Sequence, residues 1–282
     1  MMKRRTLLKV LAFGFIQLSA SKQVLAKHLI NTSYMLPEMN DDFIKDYLHK
    51  MINFNKPHKD DIYIPDSMGN IFSSIVMRLR RQQEIVGHGN FQILSFDDGL
   101  RLARRYPAIE AFTKAETRFM EMIFYSQAEQ YGFFTQKPLK ELTVRIKKKD
   151  VSRAPDSTIY LYKGAPFEIF NKLKKQIGDQ LILTSGVRGI MKQFLLFFNK
   201  AYKNNGNLSL ASRSLAPPGY SFHGIGDFDV GQVGLGAANF NKIFTNTEVF
   251  NRLNALGYIK FRYPDKNLLG VRFEPWHIKI NT

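Results

Sequence analysis

The chain contains no cysteine among its 282 residues. This absence excludes disulfide bonds and thiolate metal ligands, so any metal site would have to use histidine and carboxylate side chains. A protein without disulfides can function in either redox compartment, and the cysteine count therefore does not locate it. Histidine is also scarce. After residue 132 the chain contains only His223 and His277.

Acidic residues are few, with 24 Asp and Glu against 41 Lys and Arg, and the formal net charge is +17. Such a balance is typical of proteins that bind nucleic acid. The basic residues are spread along the chain, however, and no nucleic-acid-binding motif is present, so we expect no nucleic-acid partner. A basic surface also suits a weak, screened attraction to the anionic cell envelope.

Long apolar runs are absent apart from Leu7–Ala20, which is too short and too interrupted for a comfortable transmembrane helix. The basic run Lys3–Arg5 precedes it, and Val24–Ala26 follows it as a small-residue cleavage site. The pattern predicts a signal peptide over residues 1–26, and its paired arginines are typical of the twin-arginine export route. A plain secretory signal and an uncleaved anchor are the alternatives. We expect a periplasmic mature chain without a transmembrane helix.

Residues 27–150 predict a mainly helical N-terminal domain. Its clearest helix signal is the capping box that Thr113 forms with Glu116 three residues later. Gly132 is predicted to end that helix, since glycine is common just past a helix C-terminus.

Residues 151–282 alternate helix and strand signals, which argue for an α+β or α/β domain. We predict α+β, with a small antiparallel sheet flanked by helices. Pro166 suits the first turn of a helix that stops at Gly178, and a short buried strand, Leu181–Leu183, then leads to Ser185 and Arg188. Another helix is predicted from about residue 189 to residue 203.

The C-terminal part predicts one more helix and a hairpin. Thr245 and Glu248 are expected to cap the helix, and segments 258–263 and 270–273 to pair as strands. Pro275 cannot donate a ladder hydrogen bond, so the second strand should loosen there. That loosening would let Glu274 and His277 face the same side, where strict alternation would separate them.

Two segments carry the candidate chemistry: the run PPGYSFHGIGDFD at 217–229, and Glu274-Pro-Trp-His277. A hydrolytic zinc site needs histidine or carboxylate ligands, an open position for water and a carboxylate that accepts the water's proton. His223, Asp229, His277 and Glu274 can supply these groups. The alternative is that the two histidines are ordinary packed side chains, since motif matches carry false positives.

The same residues resemble the D-alanyl-D-alanine carboxypeptidase family of zinc peptidases, the vancomycin-resistance type within the wider group that includes lysostaphin and the hedgehog domain. The resemblance rests on the order Ser221-Phe-His223-x-x-Gly226, a following aspartate, and Glu274-Pro-Trp-His277. Further matches are the run 184–188 with Gln193, the run 216–221, and the pattern over 256–270. Together they cover roughly residues 150–282.

The resemblance implies a zinc peptidase domain over residues 151–282, with one zinc ion per chain and peptidoglycan stem peptides as substrate. It implies that His223, Asp229 and His277 hold the metal, that Glu274 is the general base and that Arg188 stabilises the oxyanion. The residues implied to contact or position the substrate are Ser221, Gln193, Ser185 and Trp276. Removal of the terminal D-alanine is the typical activity of the family.

One departure from the family pattern concerns the third ligand. Five residues separate His223 from Asp229, where the family has six, and Asp227 is a second candidate. We favour Asp229, because Val230 supplies the hydrophobic residue that follows the family's aspartate. The shortened spacing also keeps open a non-catalytic module that binds the cell wall, and an endopeptidase of the same fold is a further alternative. The sequence leaves the oligomeric state open.

Overall fold

A computed structural model describes residues 40–280 of the chain. The helices, numbered α1 to α9 in chain order, are Asp41–Ile52, Gly69–Val86, His88–Phe91, Phe96–Arg105, Lys114–Tyr125, Ala165–Ile177, Ile190–Tyr202, Leu208–Ser212 and Glu248–Ala255. The strands, β1 to β5, are Val151–Arg153, Tyr160–Tyr162, Leu181–Ser185, Phe228–Gln232 and His277–Ile278. The predicted signal peptide lies outside the described residues. Within them, none of the helices is apolar and long enough to cross a membrane.

The predicted capping box at the start of α5 is confirmed. The Thr113 hydroxyl accepts a hydrogen bond from the Glu116 backbone, and the Glu116 carboxylate accepts one from the Thr113 backbone. The helix ends at Tyr125, earlier than predicted, because Ser126 has extended backbone angles. Gly132 instead ends the 3-10 turn that follows, in the left-handed conformation with φ of 81°.

The first hydrophobic core joins the N-terminal helices to α7. Phe198 of α7 lies 5.3 Å from Phe72 of α2 and 5.9 Å from Phe119 of α5, measured between ring centroids. All three side chains are buried, in a cluster whose members come from both sides of residue 150. Helix α7 is therefore held in place by the helical N-terminal region, and the described residues belong to one compact unit. The domain boundary at residue 150 stays a prediction.

The second core lies around a small antiparallel sheet, as the α+β prediction requires. Its strands have the order β3-β4-β5, while β1 and β2 form a separate two-stranded pair. Strand β4 lies in the centre, with Asp229 opposite both Ser185 of β3 and His277 of β5. A register shift between Leu183 and Ser185 accompanies this pairing. The sheet thus brings three predicted site residues to neighbouring positions.

Two local predictions in the C-terminal part are wrong. The cap of α9 is Thr247, whose hydroxyl accepts from the Phe250 backbone, and Thr245 lies in the preceding 3-10 turn. The predicted strands at 258–263 and 270–273 do not form, and several of their backbone groups bond to other parts of the chain. The backbone N–H of Arg272 donates to the carbonyl of Arg213, for example, and the backbone N–H of Phe134 donates to the carbonyl of Leu269. Strand β5 pairs with β4 instead.

Candidate metal centre

His223 lies in a 3-10 turn, Phe222–Gly224, and is almost fully buried. Its Nδ1 is 2.8 Å from the carbonyl oxygen of Gly186. A carbonyl only accepts, so Nδ1 carries the hydrogen and Nε2 keeps its lone pair. Burial, followed by the nearby positive charge of Arg188, lowers the pKa of His223 to about 4. The imidazole is therefore neutral, with Nε2 available to a metal ion.

His277 is oriented in the complementary way. Its Nε2 lies 2.8 Å from the Asp227 carboxylate, so this nitrogen donates and Nδ1 faces the other site residues. Nδ1 lies 3.1 Å from Asp229 Oδ1. Burial alone would lower the pKa of His277, but the carboxylates of Asp227 and Asp229 outweigh it and raise the pKa to about 9. A metal ion at Nδ1 would displace the proton that these carboxylates stabilise.

The two aspartates of the 217–229 run have different surroundings. Asp229 Oδ1 lies 3.3 Å from His223 Nε2, and its Oδ2 accepts a 2.6 Å hydrogen bond from Arg188. Asp227 lies on the far side of His277, where its oxygens accept from Arg262, from the Ile280 backbone and from His277 itself. Only Asp229 therefore faces both histidines. Asp227 instead accepts a hydrogen bond from His277 Nε2 and so fixes the orientation of the His277 ring.

The residues of this cluster fit a metal ion. One ligand atom each from His223, Asp229 and His277 lie within 4.8 Å of one another, and all three side chains are buried. Asp229 Oδ1 and His277 Nδ1 have no hydrogen-bond partner among the described residues, which is costly for buried polar atoms. Two imidazole nitrogens and one carboxylate oxygen are a donor set that suits zinc, and the Gly186 and Asp227 contacts supply the outer support that such ligands normally have.

Glu274 lies beside the cluster without joining it. Its Oε2 is 3.8 Å from His277 Nδ1, and the side chain is 12% exposed to the cleft. Burial raises the pKa of Glu274 to about 7. A carboxyl group with such a pKa can take up and release a proton near neutral pH, as general acid–base chemistry requires.

Arg188 and Gln193 are tied into the structure by hydrogen bonds. Arg188 Nε donates to Ser185 Oγ at 2.8 Å and Nη2 to Asp229, while Nη1 has no hydrogen bond among the described residues. Gln193 donates to the Arg188 carbonyl and accepts from the Gly219 backbone, so both ends of its buried amide are used. It does not line the cleft. Gln193 therefore links the Arg188 segment to the loop before His223.

The cluster opens into a cleft of about 470 Å³. The predicted substrate residues Ser185, Ser221 and Trp276 line it, together with Arg188 and Glu274. Sequence reasoning missed the contributions of Phe54, Lys192, Lys200 and Arg272 to its walls. It also missed Arg262, which pairs with Asp227 and lies 3.6 Å from the centroid of the Phe222 ring. Arg262 and Arg272 belong to the run before Glu274, but nothing in their spacing indicates these partners.

A buried His–Asp–His cluster next to a glutamate, open to a cleft, defines a candidate metal-dependent hydrolase. Residues 163–281 match the model of the VanY family of D-alanyl-D-alanine carboxypeptidases. This matched segment contains the three clustered residues and Glu274. This match agrees with the family resemblance that the sequence motifs predict.

Solved structures give partial matches at 23% identity and a TM-score of 0.38. One is a Zn(II) complex of a mutant vancomycin-resistance D,D-pentapeptidase VanY, which covers 52% of this chain and 86% of that one. VanYB in complex with D-alanine-D-alanine covers 52% and 83%. The LD-carboxypeptidase LdcB, whose structure concerns peptidoglycan recognition, covers 48% and 69%. A search of curated proteins finds no match.

Proposed function

We propose that this protein is a zinc-dependent peptidase that removes the terminal D-alanine from peptidoglycan stem peptides. The observation that carries the proposal is the convergence of His223, Asp229 and His277 within 4.8 Å, beside Glu274, in the segment that matches the family. Each imidazole turns one nitrogen toward Asp229 and uses the other in a supporting hydrogen bond. Ligands held in this way need little rearrangement to bind a metal.

A zinc ion held by these three side chains would act as a Lewis acid and bring the pKa of water to about 7. Glu274 is the general base in this proposal, taking a proton from the attacking water and later giving it to the leaving amine nitrogen. Its position within 3.8 Å of His277 and its partial burial support this role. No other carboxylate among the described residues lines the cleft apart from Asp229.

Arg188 is proposed to stabilise the negative charge that develops on the carbonyl oxygen. Its Nε and Nη2 atoms are held by Ser185 and Asp229, which leaves Nη1 for the substrate. A fixed, partly buried guanidinium stabilises such a charge more strongly than a mobile one in water. Ser221 and Trp276 are proposed to contact the peptide. Gln193 is proposed to hold the loop before His223 in place through its hydrogen bond with the Gly219 backbone.

Export belongs to the same proposal. A peptidase of stem peptides has to reach the cell wall, and the basic and apolar patterns of residues 1–26 are those of a signal peptide. We propose that residues 1–26 direct export by the twin-arginine route and that the mature chain works in the periplasm.

The test is digestion of a pentapeptide that ends in D-Ala-D-Ala, with products followed by mass. Zinc-loaded wild-type protein should release one D-alanine, and both Glu274→Gln and a chelated sample should lose this activity, with zinc restoring only the chelated wild type. Cleavage confined to cross-linked peptidoglycan would replace the carboxypeptidase with an endopeptidase. Folded, zinc-loaded protein that cleaves neither substrate would leave a non-catalytic wall-binding module as the better explanation.

A further inference from the structure

The matched segment does not build the cleft alone. Phe54 and Asn55 line it, while the other described residues that line it lie between Thr184 and His277. Phe54 and Asn55 come far before residue 163, where the match to the family model begins. A loop from the helical N-terminal region therefore contributes directly to the candidate active site.

That loop is a tight turn over residues 53–56. The backbone N–H of Lys56 donates to the Asn53 carbonyl at 2.9 Å, so Phe54 and Asn55 are the two central residues of the turn. The turn follows directly on helix α1, which ends at Ile52. The Phe54 ring is thus carried by a hydrogen-bonded turn at the end of a helix.

Hydrogen bonds on both sides of the turn fix it to the C-terminal part of the chain. Before it, the hydroxyl of the buried Tyr47 accepts from the Gly270 backbone at 2.6 Å. After it, the Arg213 side chain donates to the Lys56 carbonyl at 3.0 Å. The carbonyl of the same Arg213 accepts from the Arg272 backbone at 2.9 Å. Arg213 therefore links the turn to the strand-like segment that carries Arg272.

The Arg272 side chain contacts two aromatic rings. Its guanidinium carbon lies 4.6 Å from the centroid of the Phe54 ring and 4.8 Å from that of Trp276. Both distances are within the range of cation–π contacts, and a planar guanidinium stacks well on aromatic faces. Trp276 directly precedes the candidate ligand His277. The contact series from Phe54 through Arg272 therefore ends at the segment of the metal centre.

Hydrogen bonds do not hold this guanidinium. Its Nε is buried and has no hydrogen-bond partner in the part of the chain that the structure describes. Glu274 and Asp229 attract its charge, but neither forms an ion pair with it among residues 40–280. The two rings therefore have a large part in fixing where the guanidinium lies, and loss of the Phe54 ring should free it.

We propose that Phe54 is a positioning residue of the peptidase, which holds Arg272 against Trp276 so that the guanidinium can donate to a carbonyl oxygen of the bound peptide. The inference rests on the proposed function, because it assigns a residue to that reaction. A guanidinium that is held before the peptide arrives loses little freedom on binding, whereas a free one has to be ordered at a cost in affinity. Phe54 therefore acts on substrate binding, and the N-terminal region takes part in the activity.

The test compares Phe54→Leu with wild type, since leucine keeps an apolar side chain but lacks a ring face. With a pentapeptide that ends in D-Ala-D-Ala, KM should rise about five-fold, the cost of ordering one side chain. The change in kcat should stay within about two-fold, because the lost contact favours substrate and transition state equally. Phe54→Tyr should restore KM, because tyrosine restores the ring face.

Phe112→Leu is the matched control. Phe112 is half-buried like Phe54 and lies 5.7 Å from the guanidinium of Arg78, but it is outside the cleft. The same loss of an arginine–ring contact should there leave both KM and kcat unchanged. Circular dichroism checks that each variant folds, and Phe54→Met, which also lacks a ring, replaces Phe54→Leu if that variant does not.

A double-mutant cycle tests whether Phe54 acts through Arg272. In an Arg272→Met background, Phe54→Leu should change KM by less than about two-fold, because no guanidinium is left to position. Binding can also be measured without hydrolysis, by titrating the product peptide that lacks the last D-alanine. Trp276 is the single tryptophan of the chain, so its fluorescence reports this binding, and its dissociation constant should change like KM.

Unchanged KM and dissociation constant in folded Phe54→Leu would overturn the positioning role and leave the peptidase standing. A five-fold effect that persists without Arg272, or a Phe54→Tyr variant that behaves like Phe54→Leu, would overturn it as well. Weaker peptide binding by Phe54→Leu, without any hydrolysis by wild type, would contradict the proposed function and leave the positioning role. Wild-type protein that neither binds nor cleaves the peptide would overturn both.

Discussion

Asp229 and His277 are directly opposite each other on strands β4 and β5, with Asp229 Oδ1 3.1 Å from His277 Nδ1. Side chains of directly opposed residues on one face of a sheet are close neighbours, so the strand pairing itself brings these two ligand atoms together. His223 reaches the same point from a separate turn, 3.3 Å from the same oxygen. The site therefore depends on a rigid sheet for two of its three residues.

The different surroundings of the two aspartates predict different metal affinities for their variants. Asp229→Asn should abolish measurable zinc binding at neutral pH, because it removes a ligand. Asp227→Asn should weaken zinc affinity by about 10–100-fold, the usual effect of losing a group that supports a ligating histidine. Competition with a zinc-sensitive dye would measure both.

The control for that comparison is Asp265→Asn, at an exposed carboxylate outside the cleft. It should bind zinc like wild type. Equal and complete loss in the Asp227 and Asp229 variants would contradict the assignment of Asp227 to a supporting role.

Zinc removal should lower the thermal stability of the protein. A ligand that binds only the folded state stabilises it by about 4 kcal/mol at a free concentration of 1,000 times Kd. Chelation of the wild-type protein should therefore reduce Tm by several degrees, and added zinc should restore it. The readout is differential scanning calorimetry.

Asp229→Asn provides the matched test for this stabilisation. Its Tm should not respond to zinc or to chelator, because the ligand set is incomplete. A zinc-dependent rise in Tm of the same size in this variant would mean that the stabilising ion binds elsewhere.

The ion pair between Arg213 and Asp61 should be important for folding stability. Both side chains are almost fully buried, and Arg213 also donates to the Lys56 carbonyl. Removal of one partner of a buried pair leaves an uncompensated charge and costs about 3–5 kcal/mol. Asp61→Asn should lower the free energy of unfolding by about this amount in urea titrations.

Its neighbour Asp60 is the control, because its side chain is 61% exposed and lies 3.7 Å from Lys50. Exposed ion pairs contribute at most about 1 kcal/mol, so Asp60→Asn should be close to wild type. Equal effects of the two substitutions would contradict the structural role of the buried pair.

Lys137 should make stability depend on alkaline pH. Burial, followed by the charge of Lys140, lowers the pKa of Lys137 to about 8. The unfolded chain keeps the ordinary lysine pKa of about 10.4, so between these values it binds more protons than the folded chain. Burial of the charged Lys137 therefore destabilises the folded chain. This cost is fully present below about pH 8 and disappears as the pH rises to about 10.4, so the protein becomes more stable over this range.

The measurement is the difference in unfolding free energy between wild type and Lys137→Met at several values of pH from 7 to 10. Wild type should gain stability relative to the variant as the pH rises, while other groups that titrate in both proteins cancel. A difference that stays constant over this range would contradict the lowered pKa of Lys137.

Much of this protein follows from local sequence. The capping box at Thr113 and Glu116 needs only residues three apart, and it forms as predicted. The resemblance to the family rests on short motifs in a fixed order, and residues 163–281 match the family model. Short-range patterns also favoured an α+β fold, which the helices and small antiparallel sheets confirm.

Other features depended on contacts between distant residues. The segment 258–273 has the composition of a hairpin, but its backbone groups bond to Arg213 and Phe134, so it forms none. The roles of Asp227 and Asp229 could not be separated by counting residues, since the answer depends on which side of His277 each carboxylate lies.

The sequence by itself determined the kind of chemistry this protein can support: no thiolate ligands, two histidines beside carboxylates, and a glutamate in the same short motif. The tertiary structure decided which carboxylate meets both histidines, and it gave the cleft a basic wall from α7 and Arg272. The physical reason is that residue types set which bonds are possible. Packing of segments that are far apart in the chain sets which of them form.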